Sequence, residues 1–181
     1  RTYKLNQLSK FQINILILAY RGFSGNKGEP TEKNLYNDAS KTIEWLNSKG
    51  VKNKDIVLYG ESLGTGVVVE LGQHGNYNGI ILESPFTSME DAAKNIYPWL
   101  PVKFLLKDKY DSESKIKKIK IPILIMHGKK DRIVPFKMGK KLHDLANEPK
   151  FFYFTENDDH MLKFDESLVK TIRNFLSFNS Q

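Results

Sequence analysis

A 181-residue chain with no cysteine can carry neither a disulfide nor a cysteine-ligated zinc, and its length suits one domain with a sizeable core. With 40% hydrophobic and 12% aromatic residues it falls among globular chains, and no apolar run has the length of a membrane span or the layout of a signal peptide. The formal charge is +7, but the one dense basic run, Lys115, Lys117, Lys118 and Lys120, has no interleaved aromatics, so it reads as a solvated face and argues against a nucleic-acid partner.

In chain order, the run from Ile13 to Tyr20 predicts a first strand, ending in Arg21-Gly22-Phe23-Ser24-Gly25. Leu35, Ala39, Ile43 and Leu46 then share one helical face, with Gly50 as a stop. A second strand, Ile56 to Tyr59, leads into "YGESLGTG", and a third, Gly79 to Leu82, ends at Glu83-Ser84-Pro85. An interval at about 86–120 exceeds one helix, and Pro98 and Pro101 break it, so it reads as a small lid-like insertion over one edge of the sheet. The fourth strand, Ile121 to Met126, precedes His127-Gly128-Lys129-Lys130-Asp131, and a helix with the stripe Met138, Leu142 and Leu145 follows Pro135. A fifth strand, Phe151 to Phe154, runs into Asn157-Asp158-Asp159-His160, and Leu168, Ile172 and Phe175 mark a last helix. Continuous apolar strands alternating with helices predict an α/β fold: a parallel sheet of about five strands, helices on both faces, and a single domain over 1–181.

Ligands of such sheets sit past the carboxyl ends of the strands, where Ser62, Asp131 and His160 fall in that order. A serine hydroxyl becomes a nucleophile when an imidazole takes its proton, and the imidazole needs a carboxylate to fix its tautomer. On this reading Gly60 and Gly64 leave room for a sharp strand-to-helix turn at Ser62, Gly66 serves close helix packing, and the Leu63 N–H faces a developing oxyanion. The competing reading is a phosphate-binding loop spaced G-x-x-x-G-x-G with Glu83 on a ribose, as in a nicotinamide-dependent oxidoreductase. It lacks a Tyr-x-x-x-Lys pair, and its glycines follow the second strand where the first is required. Plainer roles stand beside the sharp ones: Ser62 as a helix cap, Asp131 as a turn cap, and Glu83 as a structural partner that is also the reserve acid. His160 is favoured over His74, His127 and His143 because it is late and in a loop. Arg21, Phe23, Tyr97, Trp99, Leu100 and Phe104 are the candidates for a substrate pocket, and sealing the insertion onto the sheet is the alternative for its aromatics.

With "AYRGFSGNKGEPTEKNLYNDA", "YGESLGTG", "ILESPFTSMEDAA", "IPILIMHGKKDRIVP" and "NDDH" placed, the chain resembles the α/β-hydrolase superfamily over nearly its whole length. More narrowly, it resembles the Bem46-like branch of ABHD13-, ABHD12- and ABHD17-type proteins. The resemblance implies Ser62, Asp131 and His160 as a triad, hydrolysis of a small-molecule ester or thioester with amide or peptide substrates left open, and no cofactor or metal. It also implies family strands upstream of Arg1, with Arg1 to Leu8 as the helix that follows them, and a second oxyanion N–H on the missing turn; an inactive interaction domain is the alternative. Two acids beside His160, Asp158 and Asp159, depart from the family pattern and open the possibility of a second orienting carboxylate. Membrane association, oligomeric state and localisation stay open, with the cytoplasm as default, because an anchor or signal upstream would not be visible.

Overall fold

The computed structural model describes residues 2–178. A short helix α1 (Thr2–Leu8) is followed by an extended stretch and a long helix α2 (Glu32–Ser48), which Thr31 caps by accepting the Asn34 N–H. Then come strand β1 (Val57–Glu61), α3 (Leu63–Gly72), β2 (Gly79–Glu83), and three short helices: α4 (Met89–Ile96), α5 (Val102–Leu105) and α6 (Ser112–Ile116). The chain closes with β3 (Ile123–Gly128), α7 (Phe136–Leu145), β4 (Lys150–Thr155) and α8 (Glu166–Phe178).

The four strands lie side by side in the order β1-β2-β3-β4, and every pair is parallel. Because successive side chains point to opposite faces, alternate residues enter two cores. Leu58, Ile80, Leu82, Ile123 and Ile125 pack against α2, α3 and α7, whereas Ile81, Leu124 and Met126 pack against Leu168, Ile172 and Phe175 of α8. The two central strands, β2 and β3, are buried on both faces and need no polar alternation, which is why they read as continuous apolar runs. The predicted stripes sit as expected: Leu35, Ala39, Met138 and Leu142 are buried, with Ile43 and Leu145 packed at the margin.

One predicted strand does not form. Ile13 to Tyr20 is extended but joins no ladder, so the sheet has four strands where the sequence suggested about five. Leu18 and Tyr20 pack against the core, while Ile13, Ile15, Leu16 and Ile17 remain exposed. An apolar run has the composition of a strand, but it becomes one only when a neighbour takes its N–H and C=O groups. Among the described residues no strand pairs with it, and its end is held by a turn, the Ala19 carbonyl accepting from the Asn26 side chain at 2.9 Å and the Tyr20 carbonyl from the Phe23 N–H at 3.2 Å.

Candidate active site

The turn after β1 is tight for a steric reason at one position. A Cβ on Gly60 would stand 2.6 Å from the Gly64 carbonyl oxygen and 2.8 Å from the Thr65 Cα, both backbone atoms that cannot move aside. Gly64 differs from expectation: a Cβ there would meet nothing within 4 Å, so room for the turn comes from Gly60 alone. Gly66 serves close packing as predicted: a Cβ there would stand 2.9 Å from the Tyr110 ring and 3.2 Å from the Phe86 ring. Ser62 itself sits at φ 52° and ψ −118°, a left-handed conformation unusual for a residue with a side chain. Its N–H donates to the Glu83 carbonyl at 2.9 Å, and its C=O accepts from the Thr65 N–H and hydroxyl, so neighbouring structure holds the strain. Leu63 begins α3, where the first N–H groups have no acceptor within the helix.

His160 and Asp131 complete a hydrogen-bonded chain with Ser62. The Ser62 hydroxyl lies 2.9 Å from His160 Nε2, and His160 Nδ1 lies 2.8 Å from Asp131 Oδ2. The other Asp131 oxygen accepts the Ile133 and Val134 N–H groups at 2.9 and 2.8 Å, which fixes the carboxylate plane. His127, fully buried, donates through Nε2 to the Val134 carbonyl and approaches Asp131 Oδ2 at 3.3 Å. Burial pushes the Asp131 carboxyl up, but hydrogen bonds from His127, His160 and the Val134 N–H more than reverse it and hold its pKa well below the usual range. His160 is raised above its ordinary 6.5, chiefly by its bond to Asp131; burial opposes this, and the negative charges of Asp131, Glu61 and Glu83 add to it. The arrangement can pass a proton from a serine hydroxyl to an imidazole whose cation is stabilised.

The profile of the prolyl oligopeptidase family matches residues 21–181, a span that contains Ser62, Asp131 and His160. The chain belongs to that family. It is 36% identical over 170 residues to an uncharacterized Mycobacterium tuberculosis protein, covering 91% of this chain and 60% of that one. It is 32% identical over 161 residues to the lysophosphatidylserine lipase ABHD12 of Danio rerio, covering 79% and 42%. The chain therefore spans about 60% or less of the length of these relatives. Among solved structures, the Pyrococcus furiosus esterase Pf2001 superposes with a TM-score of 0.77 at 18% identity, over 97% of this chain and 72% of that one. The four-stranded sheet is thus an α/β-hydrolase fold.

In this member of the prolyl oligopeptidase family the remaining candidates fall in different places. Glu83 is fully buried and engaged elsewhere: Lys4 Nζ donates to it at 2.6 Å and to Glu61 at 2.7 Å, and the Tyr59 hydroxyl donates to its other oxygen. Asp158 and Asp159 accept the Lys163 and Met161 N–H groups, so Asp131 is the carboxylate at the His160 ring. Arg21 is paired with Asp38 through its side chain and backbone N–H. Phe23, Tyr97, Trp99 and Phe104 are exposed, and Leu100 is half-buried. No cluster of three or more His, Asp or Glu with metal-site geometry occurs among the described residues.

Two site residues have no signature in the sequence. A Cβ on Gly128 would lie 2.4 Å from the carbonyl oxygens of both Asp158 and Asp159, so the end of β3 seats the loop that carries His160. Ser84 is fully buried at φ 51°, its N–H bound to the Met126 carbonyl and its hydroxyl donating to the His160 carbonyl at 2.9 Å. The end of β2 therefore holds both Ser62 and His160: Glu83 through the Ser62 N–H, Ser84 through the His160 backbone. Ser84→Ala is expected to lower kcat by roughly ten- to a hundredfold with little change in KM, because small misplacements of a reacting group are costly. Steady-state kinetics on the full-length protein check this, and an unchanged kcat refutes it.

Proposed function

We propose that the chain carries the catalytic centre of a serine hydrolase that cleaves a carboxylic ester or thioester. Ser62 Oγ attacks the acyl carbon as His160 Nε2 takes its proton, Asp131 orients His160 and stabilises the imidazolium, and the Leu63 N–H donates to the oxyanion. His160 then returns the proton to the leaving oxygen or sulfur, and water hydrolyses the acyl-enzyme by the same relay in reverse. The observation that carries this reading is the unbroken chain from Ser62 Oγ through His160 to Asp131. Choice of an ester over a peptide is supported by similarity to a lysophosphatidylserine lipase and an esterase. A fluorophosphonate probe on the full-length protein should label Ser62; a folded protein that stays unlabelled would overturn the proposal. An acyl-length series of esters and thioesters, run beside a prolyl peptide, then assigns the bond.

The acid limb of kcat/KM gives a second test. His160 must be neutral to accept a proton, and its pKa is raised, so activity should rise with pH through a midpoint above 6.5. Glu61→Gln removes one of the negative charges that favour the imidazolium, and the limb should move down. A limb below 6.5, or one unmoved by that substitution, contradicts the assignment of His160 as the base.

A further inference from the structure

The stretch between β2 and β3 that includes the end of α4 and all of α5 presents its large apolar side chains outward. Trp99 is 78% exposed, Phe104 87%, Leu105 59%, Tyr97 49% and Ile96 48%. The segment is packed at its base, since Ala92 and Val102 are buried and the Met89 N–H donates to the Lys109 carbonyl at 2.7 Å. The outward rings are thus held out by an ordered support. Their charged neighbours share one sign. From Asn95 to Lys107 there is no carboxylate, and Lys103 and Lys107 are exposed with no ion pair among the described residues. Lys109 adds to them, Lys94 is offset by Glu90, and Asp108 is turned to the Glu32 N–H.

Five large apolar side chains exposed within ten residues of a folded chain mark a contact surface. A protein-binding surface concentrates aromatics but sheds lysine from its centre, whereas a tryptophan, a phenylalanine and leucine beside lysines is the composition of segments that lie in a lipid interface. Lysine stems can lie along the apolar layer while their ammonium groups reach acidic headgroups. We propose that the Ile96–Leu105 protrusion inserts shallowly into the surface of an anionic lipid aggregate, with Trp99 and Phe104 as the inserting rings and Lys103, Lys107 and Lys109 selecting acidic headgroups. No helix among the described residues is long and apolar enough to cross a membrane. The proposal is independent of the hydrolase reading.

The test uses the full-length protein carrying Ser62→Ala, so that binding is read without chemistry. Trp45→Phe leaves Trp99 as the reporter within residues 1–181, and the Trp99→Ala counterpart gives the signal to subtract. Vesicles of phosphatidylcholine, with and without phosphatidylglycerol, are added. Trp99 emission should shift to the blue and be quenched by bromine-labelled acyl chains on the anionic vesicles, and salt should reverse both. Trp99→Ala/Phe104→Ala should lower vesicle affinity at least about tenfold at unchanged melting temperature, and Lys103→Glu/Lys107→Glu should abolish the preference for anionic lipid. Three results would overturn the proposal: Trp99 emission already that of a buried ring without lipid, which would mean that protein covers the patch; affinity indifferent to Trp99 and Phe104; or equal binding to neutral and anionic vesicles.

Discussion

Ser62→Ala is expected to abolish fluorophosphonate labelling and to lower kcat by about four to six orders of magnitude while leaving the fold intact. The size of the effect follows from the relay acting as a unit: without the hydroxyl, neither His160 nor Asp131 has a proton transfer to assist. The fold should tolerate the change because the turn is held by backbone contacts, the Ser62 N–H to the Glu83 carbonyl and the Thr65 N–H to the Ser62 carbonyl, which alanine keeps. The hydroxyl itself meets His160 and is no part of the cap on α3. Residual turnover near the wild-type level would show that another group is the nucleophile, and it is checked with the labelling reaction and a spectrophotometric ester assay.

Asp131→Asn is expected to cost about 10^4-fold in kcat, although the side chain keeps its shape. The network dictates how the amide would sit. One oxygen of residue 131 takes the Ile133 and Val134 N–H groups, so the amide oxygen stays there and the NH2 faces His160. His160 Nδ1 must then accept a hydrogen bond, its proton moves to Nε2, and the nitrogen beside Ser62 can no longer take the serine proton. The same NH2 would confront the His127 Nε2–H, which the Val134 carbonyl already orients toward that spot. A kcat close to the wild-type value near neutral pH would not fit this account, and a pH-rate profile of the variant checks it. Stability should change too. The Asp131 pKa is lowered in the folded state, so its stabilisation is present above the ordinary carboxylate range and is lost as pH falls through the folded pKa.

That Ser62, Asp131 and His160 come together in the candidate site was legible from position alone. Ser62, Asp131 and His160 each follow a strand whose apolar run is continuous, and parallel strands put their carboxyl ends on one edge, so residues far apart in the chain had to meet there. The stripes of α2, α7 and α8 were legible because each presents one face to the sheet. The extended stretch at 13–20 was not, because strand formation depends on a partner that local composition does not encode. Gly64 was assigned a steric role that belongs to Gly60, since spacing shows that a turn is tight but not which Cβ the tightness would displace. Ser84 and Gly128 were invisible for a related reason: each acts on a loop reached only by folding, 76 positions away for Ser84 and His160.

The stretch between β2 and β3 supplies no residue to the Ser62–His160–Asp131 relay beyond the Ser84 anchor at its start. Its attachment rests on a few buried contacts, with Ala92, Val102 and Ile116 inside and Tyr110 seated over Gly66 of α3. The Ser62–His160–Asp131 relay and the exposed apolar protrusion are therefore built from separate parts of the chain. Substitutions between those anchors can change the exposed surface while the hydrogen bonds among Ser62, His160 and Asp131 stay as they are.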